Sequence, residues 1–474
     1  MRGAGSSIHL RVDNKLSSKI RNIACIGAGY VGGPTMAVIA DQCPDVRVTV
    51  VDVNEARIAQ WRSATLPVFE PGLDEVVARA RGRNLFFEAI TPQVLAAADV
   101  IFVCVNTPTK TFGEGKGMAA DLQYWEKSAR TILQHARKGT IVVEKSTVPV
   151  RTAEAMSRIL NARADDEDFP VLSNPEFLAE GTAVRDLLQP ERVLIGSRPG
   201  PAGDAAAQAL AAIYRRWLPE EKILFTSVWS AELSKLSANA MLAQRISSIN
   251  ALSELCERTG ADVQEVSQVI GSDRRIGPLF LQAGVGFGGS CFRKDLLNIV
   301  YMCGQLGLHE VAAYWKQVVD INDHQVARFT RDILAHLFNT VVGKRMAIFG
   351  FAFKPETDDT RDSPAIAICR RLLEERAELA ITDPRALDNA ARDLAGLPGS
   401  IHFEPDPYAA ARGAHAVVLV TDWPQFRALD YARIFADAQR PAFVFDGRNA
   451  LDHRGLFELG FNVVPMGKPP LLHR

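Results

Sequence analysis

The chain has 474 residues, 47% of them hydrophobic and 23% charged, a composition typical of a globular protein with roughly two to four domains. Because its formal net charge is only -1, no basic field covers the whole chain, and we expect no nucleic-acid partner. The seven cysteines show neither CxxC nor Cys/His ligand spacing, which argues against a metal site and favours a reducing, cytoplasmic compartment. No apolar run is long enough to span a bilayer, so no membrane association is expected.

Residues 1–19 are polar and contain no apolar signal core, so we expect a disordered N-terminal extension. A weak organelle-targeting segment is the alternative, and Asp13 counts against it. Over residues 20–228 short apolar runs alternate with helical stretches, which predicts an α/β domain with a parallel sheet. Its predicted strands lie at residues 23–26, 46–52, 100–105, 140–143 and 193–196.

A Gly-Ala-Gly-Tyr-Val-Gly sequence follows the first predicted strand and opens a helix, which is the arrangement of a dinucleotide-binding turn. Gly27 permits the tight turn, Gly29 lets the backbone approach a pyrophosphate, and Gly32 lets the helix pack on the strand. Asp52 ends the second strand about 20 residues later, where a carboxylate accepts hydrogen bonds from ribose hydroxyls and repels a 2′-phosphate. We therefore predict that the domain binds NAD, although Arg57 could also reach the 2′-phosphate of NADP.

Polar segments follow the third and fourth predicted strands of this domain. Asn106 begins the first of them and Thr109 ends it, while Ser146 and Thr147 belong to the second. Cofactor and substrate contacts collect at these strand ends in open α/β sheets, so both segments are candidates for the site. Ordinary proline-containing turns are the alternative for each.

Two pairs of residues with catalytically useful side chains have the spacing of one helical turn, four residues, between their members. Glu176 and Glu180 lie on one face if their segment opens a helix, and one could be the general base for water attack on a thioester. A solvated helix start is the alternative. Lys235 could stabilise an oxyanion and Asn239 could position a water, unless both simply lie on a helix surface. Their helix belongs to a predicted helical domain, residues 229–339, with apolar spacing at Leu233, Leu236, Ala240, Ala243 and Ile246.

The strongest chemical signal is the run GVGFGGSCFRKD, which begins at Gly284 and contains Cys291. Its four glycines allow a ligand to approach the backbone closely. The cations that follow the thiol favour the nucleophilic thiolate. A nucleophilic cysteine and a nicotinamide site in one chain suggest that an aldehyde is captured, oxidised to a thioester and hydrolysed to an acid. A small buried cysteine in a plain turn is the alternative.

A second α/β pattern is predicted over residues 340–474, without a GxGxxG sequence. Its predicted strands lie at residues 346–349, 379–382, 416–420 and 443–445, and a helix is predicted at residues 363–375. The fold class is therefore α/β, with two Rossmann-like doubly wound parallel-sheet domains joined by a central helical domain. Loop cations of the later half could bind pyrophosphate or carboxylate groups, or be surface charges: Arg275, Lys354, Arg361 and Arg448.

Taken in order, the motifs resemble the UDP-glucose 6-dehydrogenases of the UDP-glucose/GDP-mannose dehydrogenase family, and the animal type most of all. They are GAGYVG, VDVNEARI, VNTPT, EKSTVPVR, LSNPEFLAEGTA, ELSKLSANA, RISSINA, GVGFGGSCFRKD, FAFKPETDDTRDSP and FDGR. The resemblance runs from about residue 20 to about residue 467. Such enzymes oxidise UDP-glucose to UDP-glucuronate with two NAD⁺ and one water.

The resemblance implies a role for each matching residue. Cys291 would be the nucleophile and Lys235 would stabilise the oxyanion. Asp295, Asn239 and Thr147 would arrange the hydrolytic water. Glu176 would act in acid/base steps. No metal would take part. NAD would contact Gly27, Gly29, Tyr30, Val31, Gly32, Asp52, Arg57, Val105, Asn106, Thr107, Pro108, Thr109, Ser146, Thr147, Glu180, Lys294 and Arg361. UDP-glucose would contact Glu176, Phe177, Leu178, Ala179, Glu180, Lys235, Asn239, Arg275, Phe280, Leu281, Gly286, Phe287, Gly288, Cys291, Phe353, Lys354 and Arg448.

The resemblance also implies self-association, as a homodimer or as a hexamer, with Arg275 reaching the active site of a neighbouring subunit. Animal-type members are inhibited by UDP-xylose through motion of the loop that contains Thr147. This chain departs from the animal pattern at two positions, since Arg293 replaces a usual Gln and Asn449 replaces a second Arg. If Arg293 points inward, its charge should favour the Cys291 thiolate.

Three other functions remain open on the sequence alone. Dehydrogenases of UDP-N-acetylmannosamine or GDP-mannose share the same Cys, Lys and Asn plan. A non-catalytic NAD-binding or scaffolding protein would not need the intact set of Cys291, Lys235, Asn239 and Asp295. A two-electron dehydrogenase of the hydroxy-acid type would not need Cys291.

Overall fold

The computed structural model describes residues 20–162 and 169–473, so the extension predicted at residues 1–19 lies outside the described part. The described chain forms two compact units. The first contains the chain up to Pro108 and Asp121–Lys235, and the second contains Thr109–Ala120 and the chain from Leu236 onward. The domain boundaries read from the sequence stay predictions.

The first unit is built on an eight-stranded sheet. Its strands are β1 (Asn22–Ile26), β2 (Arg47–Asp52), β3 (Leu85–Ala89), β4 (Val100–Val103), β5 (Ile141–Glu144), β6 (Val171–Ser173), β7 (Val193–Ser197) and β8 (Ile223–Ser227). They lie in the order β3-β2-β1-β4-β5-β6-β7-β8. Neighbouring strands are parallel except for β6 and β7, which pair antiparallel. The first six follow the order typical of a dinucleotide-binding fold.

Helices cover both faces of this sheet. They are α1 (Gly32–Gln42), α2 (Glu55–Arg62), α3 (Leu73–Ala80), α4 (Pro92–Ala97), α5 (Gln123–His135), α6 (Thr152–Leu160), α7 (Ala183–Leu188) and α8 (Pro201–Tyr214). Alternate residues of β1 show the two faces, because side chains alternate along a strand. Ile23 and Cys25 pack into one apolar core, which includes α1 and α8, while Ala24 and Ile26 pack into another, which includes α5 and α6. The unit is therefore doubly wound.

The helical middle of the chain contains α9 (Val228–Thr259), α10 (Val263–Gly271), α11 (Phe292–Gln305) and α12 (His309–His336). Between Val228 and Lys344 the structure describes every residue and shows no strand, as the sequence predicted. Leu236 and Ala240 are buried, whereas Leu233, predicted on the same apolar face, is 46% exposed. No helix among residues 20–162 and 169–473 is long and apolar enough to cross a membrane.

The second unit contains a six-stranded parallel sheet in the order β11-β10-β9-β12-β13-β14. Its strands are β9 (Arg345–Phe349), β10 (Glu378–Thr382), β11 (Ser400–Phe403), β12 (Ala416–Leu419), β13 (Phe443–Asp446) and β14 (Asn462–Pro465). Its helices are α13 (Pro364–Glu374), α14 (Leu387–Asp393), α15 (Pro407–Ala411), α16 (Pro424–Arg427), α17 (Tyr431–Asp437) and α18 (His453–Leu459).

Alternation along β9 again separates two apolar cores, with Met346 and Ile348 in one and Ala347 and Phe349 in the other. The second sheet is thus also covered on both faces, and its strand order matches the first six strands of the first sheet. The predicted fold class is confirmed: two Rossmann-like sheets and a central helical region. Function-bearing loops are expected at the carboxyl ends of the strands in such sheets.

Candidate active site

The predicted site residues divide between the two units. The first unit contains Gly27, Gly29, Tyr30, Val31, Gly32, Asp52, Arg57, Val105, Asn106, Thr107, Pro108, Ser146, Thr147, Glu176, Phe177, Leu178, Ala179, Glu180 and Lys235. The second contains Thr109, Asn239, Arg275, Phe280, Leu281, Gly286, Phe287, Gly288, Cys291, Lys294, Asp295, Phe353, Lys354, Arg361 and Arg448.

The glycine turn between β1 and α1 has the geometry that its sequence requires. Gly27 has φ +110°, and a Cβ there would lie 2.4 Å from the Cys104 carbonyl oxygen. A Cβ at Gly32 would lie 2.0 Å from the Gly27 carbonyl oxygen, so the helix can approach only with glycine. No protein atom lies within 4 Å of a Cβ built at Gly29, which leaves that backbone open to a ligand. The turn therefore fits a bound pyrophosphate.

Asp52 lies at the carboxyl end of β2, beside this turn. Its Oδ2 accepts a hydrogen bond from the Ala28 N–H at 2.8 Å, and its Oδ1 accepts one from the Asn54 N–H at 2.8 Å. The exposed Arg57 guanidinium lies 3.7 Å from the same carboxylate. Such exposed pairs contribute little to stability, so the main structural role of Asp52 is to hold the turn.

Trp61 on α2 supports the turn from behind, and the sequence analysis missed it. Its indole N–H donates to the Ala28 carbonyl oxygen at 2.9 Å, and its ring stacks on Phe87. The ring fills the space where Gly33 has no side chain, because a Cβ there would lie 2.0 Å from it. In the sequence, the second glycine of the Gly32-Gly33 pair could have indicated that a large side chain packs against this turn.

The polar segments that follow β4 and β5 meet in the first unit. The Thr107 hydroxyl donates to the Thr147 carbonyl oxygen at 2.7 Å, and the Ser146 hydroxyl donates to the Val105 carbonyl oxygen at 2.7 Å. These two bonds place Thr147 beside the strand ends near the glycine turn. Thr109 instead begins the short segment Thr109–Ala120 of the second unit.

Glu176 and Lys235 form a buried ion pair in the first unit. Their Oε2 and Nζ atoms are 3.2 Å apart, and the two side chains are 9% and 5% exposed. The segment does not open the helix considered from the sequence, because Glu176 Oε2 also accepts the Leu178 N–H at 3.0 Å and turns the chain. Helix α7 begins only at Ala183, so the carboxylates of Glu176 and Glu180 do not share a helix face.

Lys145 is a second buried cation of this region, which the sequence analysis did not identify. It follows β5, and its Nζ donates to Asn174 Oδ1 at 3.1 Å, an oxygen that also accepts the Tyr214 hydroxyl at 2.6 Å. Burial lowers the pKa of Lys145 to about 8, and the negative charge of Glu176 opposes that shift. In the sequence, the feature that could have pointed to Lys145 is its position directly after the mostly apolar strand β5.

Two buried carboxyl groups lie close together in the first unit, and one of them, Glu232, holds the start of α6. Glu144 is 1% exposed and accepts the Trp125 indole N–H at 3.0 Å. Glu232 on α9 is 2% exposed and accepts the backbone N–H groups of Arg151 and Ala153, each at 2.7 Å. Burial raises the pKa of both carboxyls, and the nearby Glu232 charge raises that of Glu144 further.

This pair should make the protein less stable as the pH rises. The folded pKa of Glu144 lies well above the ordinary value of 4.5 for a glutamate, so its contribution is full below about pH 4.5 and is lost as the pH rises through the folded pKa. We expect Glu144→Gln, which is neutral at every pH, to raise the free energy of unfolding at pH 8 by on the order of 1 kcal/mol.

The measurement is the urea midpoint from pH 5 to pH 9 for the parent and for Glu144→Gln. The exposed Glu191→Gln variant is the matched control and should keep the parental pH dependence. An equally steep fall in Glu144→Gln and in the parent would show that Glu144 is not a protonated group of the folded state.

In the second unit Cys291 is exposed at the N-cap of α11. The turn before it can be built only from glycine, because a Cβ at Gly288 would lie 2.6 Å from the Asp362 carbonyl oxygen. Gly289 has φ +86°, and a Cβ there would lie 2.9 Å from the Phe353 ring. The amino end of a helix stabilises negative charge. The structure thus presents the thiol at the surface of its unit, on a tightly packed turn.

Asp295 lies one turn further along α11 and is 2% exposed. It accepts a hydrogen bond of 2.6 Å from the Asn239 side-chain amide, and the Lys294 ammonium lies 3.7 Å from it. Arg293 pairs with Asp323 through hydrogen bonds of 2.6 and 3.0 Å. The Arg293 side chain therefore points to Asp323. We expected Arg293 to favour the Cys291 thiolate only if it pointed inward, towards the thiol, and it does not.

The loop after β13 holds Arg448 against the glycine-rich run. Its guanidinium donates to the Val420 carbonyl oxygen at 2.6 Å and to the Gly286 carbonyl oxygen at 3.1 Å. Burial lowers the pKa of Arg448. Asn449 has φ +52°, a conformation that asparagine tolerates better than most residues. Backbone conformation therefore explains the asparagine at this departure from the animal pattern.

Of the remaining predicted cations, Arg275 and Arg361 are exposed on loops of the second unit, whereas Lys354 is half-buried there. Arg275 and Arg361 each pair with an aspartate two residues earlier, at 2.5 and 2.6 Å. Arg245, which the sequence analysis missed, donates to the carbonyl oxygens of Ile276, Gly277 and Leu279 and so shapes the loop after Arg275. In that loop Phe280 is 41% exposed with φ +61°, whereas Leu281 is buried.

Family models match three consecutive parts of the chain. They are the NAD binding domain of the UDP-glucose/GDP-mannose dehydrogenase family at residues 21–218, its central domain at residues 229–324, and its UDP binding domain at residues 347–453. The chain belongs to the UDP-glucose/GDP-mannose dehydrogenase family. It is therefore a dehydrogenase of this family, with NAD as its cofactor and a UDP binding domain in its second half.

Individual relatives cover nearly the whole chain. UDP-glucose 6-dehydrogenase 1 of Oryza sativa subsp. japonica is 57% identical over 466 residues, with 94% of this chain and 97% of the relative covered. UDP-glucose 6-dehydrogenase 1 of Arabidopsis thaliana is 53% identical over 466 residues, with the same coverage. A UDP-glucose dehydrogenase structure from Pyrobaculum islandicum aligns with a TM-score of 0.81 and 33% identity, covering 95% of this chain and 98% of that one. The animal-type label stays a prediction.

Proposed function

We propose that this dehydrogenase oxidises UDP-glucose to UDP-glucuronate in two steps, with two NAD⁺ reduced and one water consumed. The observation that carries the proposal is Cys291, exposed at the amino end of α11, one turn before the buried pair of Asp295 and Asn239. A two-electron dehydrogenase needs no such thiol. The names of the rice and Arabidopsis relatives support UDP-glucose as the substrate over UDP-N-acetylmannosamine and GDP-mannose.

The residues of the first unit fit NAD. The open backbone at Gly29 and the carboxylate of Asp52 would hold its pyrophosphate and ribose. The strand-end residues, Thr107 and Thr147 among them, would form the nicotinamide side of the site. When bound, NAD⁺ accepts the hydride in each oxidation. The proposed NAD contacts are Gly27, Gly29, Tyr30, Val31, Gly32, Asp52, Arg57, Val105, Asn106, Thr107, Pro108, Thr109, Ser146, Thr147, Glu180, Lys294 and Arg361.

Cys291 carries the covalent chemistry. Its thiolate attacks the aldehyde carbon made in the first oxidation, forming a C–S bond and a thiohemiacetal. Loss of hydride in the second oxidation leaves a thioester. Water then attacks the carbonyl carbon, the C–S bond breaks, and the sulfur leaves as thiolate with release of the acid. The atoms balance with two hydrides transferred, two protons released and one water added.

Buried polar groups would stabilise the charges that develop. The Lys235 ammonium would stabilise the oxyanion, because a fixed cation in a dry environment acts more strongly than one in water. Glu176, already in contact with that ammonium, would exchange protons during hydrolysis. Asp295, Asn239 and Thr147 would orient the attacking water.

The substrate contacts also remain proposals. UDP-glucose would be bound by Glu176, Phe177, Leu178, Ala179, Glu180, Lys235, Asn239, Phe280, Leu281, Gly286, Phe287, Gly288, Cys291, Phe353, Lys354 and Arg448. Arg275 would complete the site of a neighbouring subunit, in a homodimer or hexamer. The Arg275 side chain is exposed and its ion pair is with Asp273, only two residues away, so the guanidinium would be accessible to a partner subunit. A cytoplasmic location agrees with seven free cysteines and is proposed on that ground.

A substrate panel tests the proposal. Purified protein is given NAD⁺ with UDP-glucose, UDP-N-acetylmannosamine or GDP-mannose, and kcat/KM is measured from NADH absorbance. We expect UDP-glucose to exceed the other two by at least about 100-fold, a ratio that a few polar contacts can supply. A higher kcat/KM for either rival would assign the enzyme to that substrate.

The choice between cofactors should depend on Asp52. In Asp52→Asn the charge that repels a 2′-phosphate is gone, while Arg57 remains to attract it. We expect the NAD over NADP ratio of kcat/KM to fall by about 10-fold or more, measured with saturating UDP-glucose. The exposed Asp74→Asn variant on α3 is the control. Equal rejection of NADP by parent and variant would show that Asp52 is not the discriminator.

A further inference from the structure

Glu70 has no role in the proposed reaction. Its buried carboxylate nevertheless joins two segments of the first unit that are proposed to bind the cofactor and the substrate. It is 3% exposed and lies in the loop before α3. The Tyr30 hydroxyl and the Gly181 N–H both donate to Glu70 Oε1, the latter at 2.6 Å. The Ala183 N–H donates to Oε2 at 2.9 Å. Burial and this carboxylate raise the pKa of Tyr30, so its hydroxyl remains a donor.

The two segments joined in this way differ in their proposed ligands, except that Glu180 of the second segment is proposed to contact both. Tyr30 belongs to the glycine turn, whose backbone would hold the NAD pyrophosphate. Gly181 ends the irregular segment that begins near Glu176 and would contact the sugar nucleotide. That segment has no helix or strand of its own before Ala183, and Gly181 has φ +79°. Its conformation therefore depends on side-chain bonds such as those from Glu70.

We propose that Glu70 is a positioning residue that couples cofactor binding to substrate binding. Cofactor in the glycine turn fixes Tyr30, Tyr30 fixes the Glu70 carboxylate, and the carboxylate fixes residues 176–181 in the conformation that binds the sugar nucleotide. Because coupling is reciprocal, each ligand strengthens the binding of the other by the same factor. The inference rests on the proposed function, since it takes UDP-glucose as the ligand of residues 176–181.

Calorimetry measures the coupling without turnover when NADH replaces NAD⁺. The dissociation constant of UDP-glucose is determined alone and with saturating NADH. For the parent we expect NADH to tighten UDP-glucose binding by about 5-fold or more. In Tyr30→Phe the factor should fall to about one, because the hydrogen bond between the glycine turn and Glu70 is lost while the bonds of Glu70 to the substrate segment remain. In Glu70→Gln the factor should also fall to about one, and UDP-glucose alone should bind more weakly, because the amide cannot accept from all three donors.

Matched controls make the same chemical changes at exposed positions: Glu75→Gln on α3 and Tyr124→Phe on α5. Both should keep the parental factor. Since Tyr30→Phe keeps the hydrogen bonds that the Gly181 and Ala183 N–H groups donate to Glu70, its loss of coupling does not require a misfolded segment. A parental factor near one, or a parental factor retained in both Tyr30→Phe and Glu70→Gln, overturns the inference. A parent that binds no UDP-glucose overturns the proposed function and the inference with it.

Discussion

Cys291→Ser should lower the rate of UDP-glucuronate formation from UDP-glucose by on the order of 1,000-fold or more, because an unactivated hydroxyl cannot replace a thiolate as nucleophile. NADH binding should stay close to parental, since Cys291 is not among the proposed NAD contacts. The measurements are steady-state turnover and the NADH dissociation constant, on the same preparations.

Cys303→Ser is the matched control, because Cys303 lies on α11, twelve residues beyond Cys291, and is only partly buried. It should turn over UDP-glucose within about twofold of the parent, as expected for a partly exposed substitution away from the site. Turnover in Cys291→Ser equal to that of Cys303→Ser would remove Cys291 from the mechanism.

Lys235→Met should lower kcat by about 100-fold to 1,000-fold, the cost typical of removing one donor to a developing oxyanion. Methionine keeps most of the apolar length of lysine, so the packing of α9 is largely retained. The substitution also leaves Glu176 buried without its cation, and we expect a stability loss of about 3 kcal/mol from that stranded charge. Turnover and thermal unfolding are measured together.

The double variant Lys235→Met/Glu176→Gln separates the two effects. Neutralising Glu176 removes the unpaired buried charge, so thermal stability should recover, whereas kcat should remain low because the cation and the proposed acid/base carboxylate are both missing. The exposed Lys127→Met variant on α5 controls for the loss of one positive charge. Recovery of kcat along with stability would mean that Lys235 acts only through folding.

The sequence predicted the parts of the fold that local chemistry determines. The glycine turn is one of these, since Gly27 and Gly32 are required by φ and by close backbone approach. Strands β1 and β2 are others, because apolar runs between turn residues have few alternatives. The sequence did not predict β3, β6, β8, β11 and β14. Two of these carry weak patterns, since β6 has three residues and β8 exposes Leu224 and Phe225. Their strand conformation comes from pairing with neighbours in the sheet.

The polar pairs of the site were harder to predict, because sequence spacing does not show which distant residues meet. Lys235 and Glu176 are 59 residues apart, and Gly181 and Glu70 are 111 residues apart. Glu70 stands in an ordinary-looking loop, so no local pattern distinguishes it from a surface carboxylate. By contrast Cys291 stands out as a candidate in the sequence itself, because the glycine-rich turn and the thiol are adjacent in the chain.

The most direct test of the proposed double oxidation is the number of NADH formed per UDP-glucose consumed. Purified protein is mixed with limiting UDP-glucose and excess NAD⁺, NADH is read from its absorbance, and the sugar nucleotide product is identified by mass. Two equivalents of NADH with UDP-glucuronate as product is the expected result. One equivalent, with an aldehyde or ketone product, would contradict the double oxidation and the role of the Cys291 thiol in it.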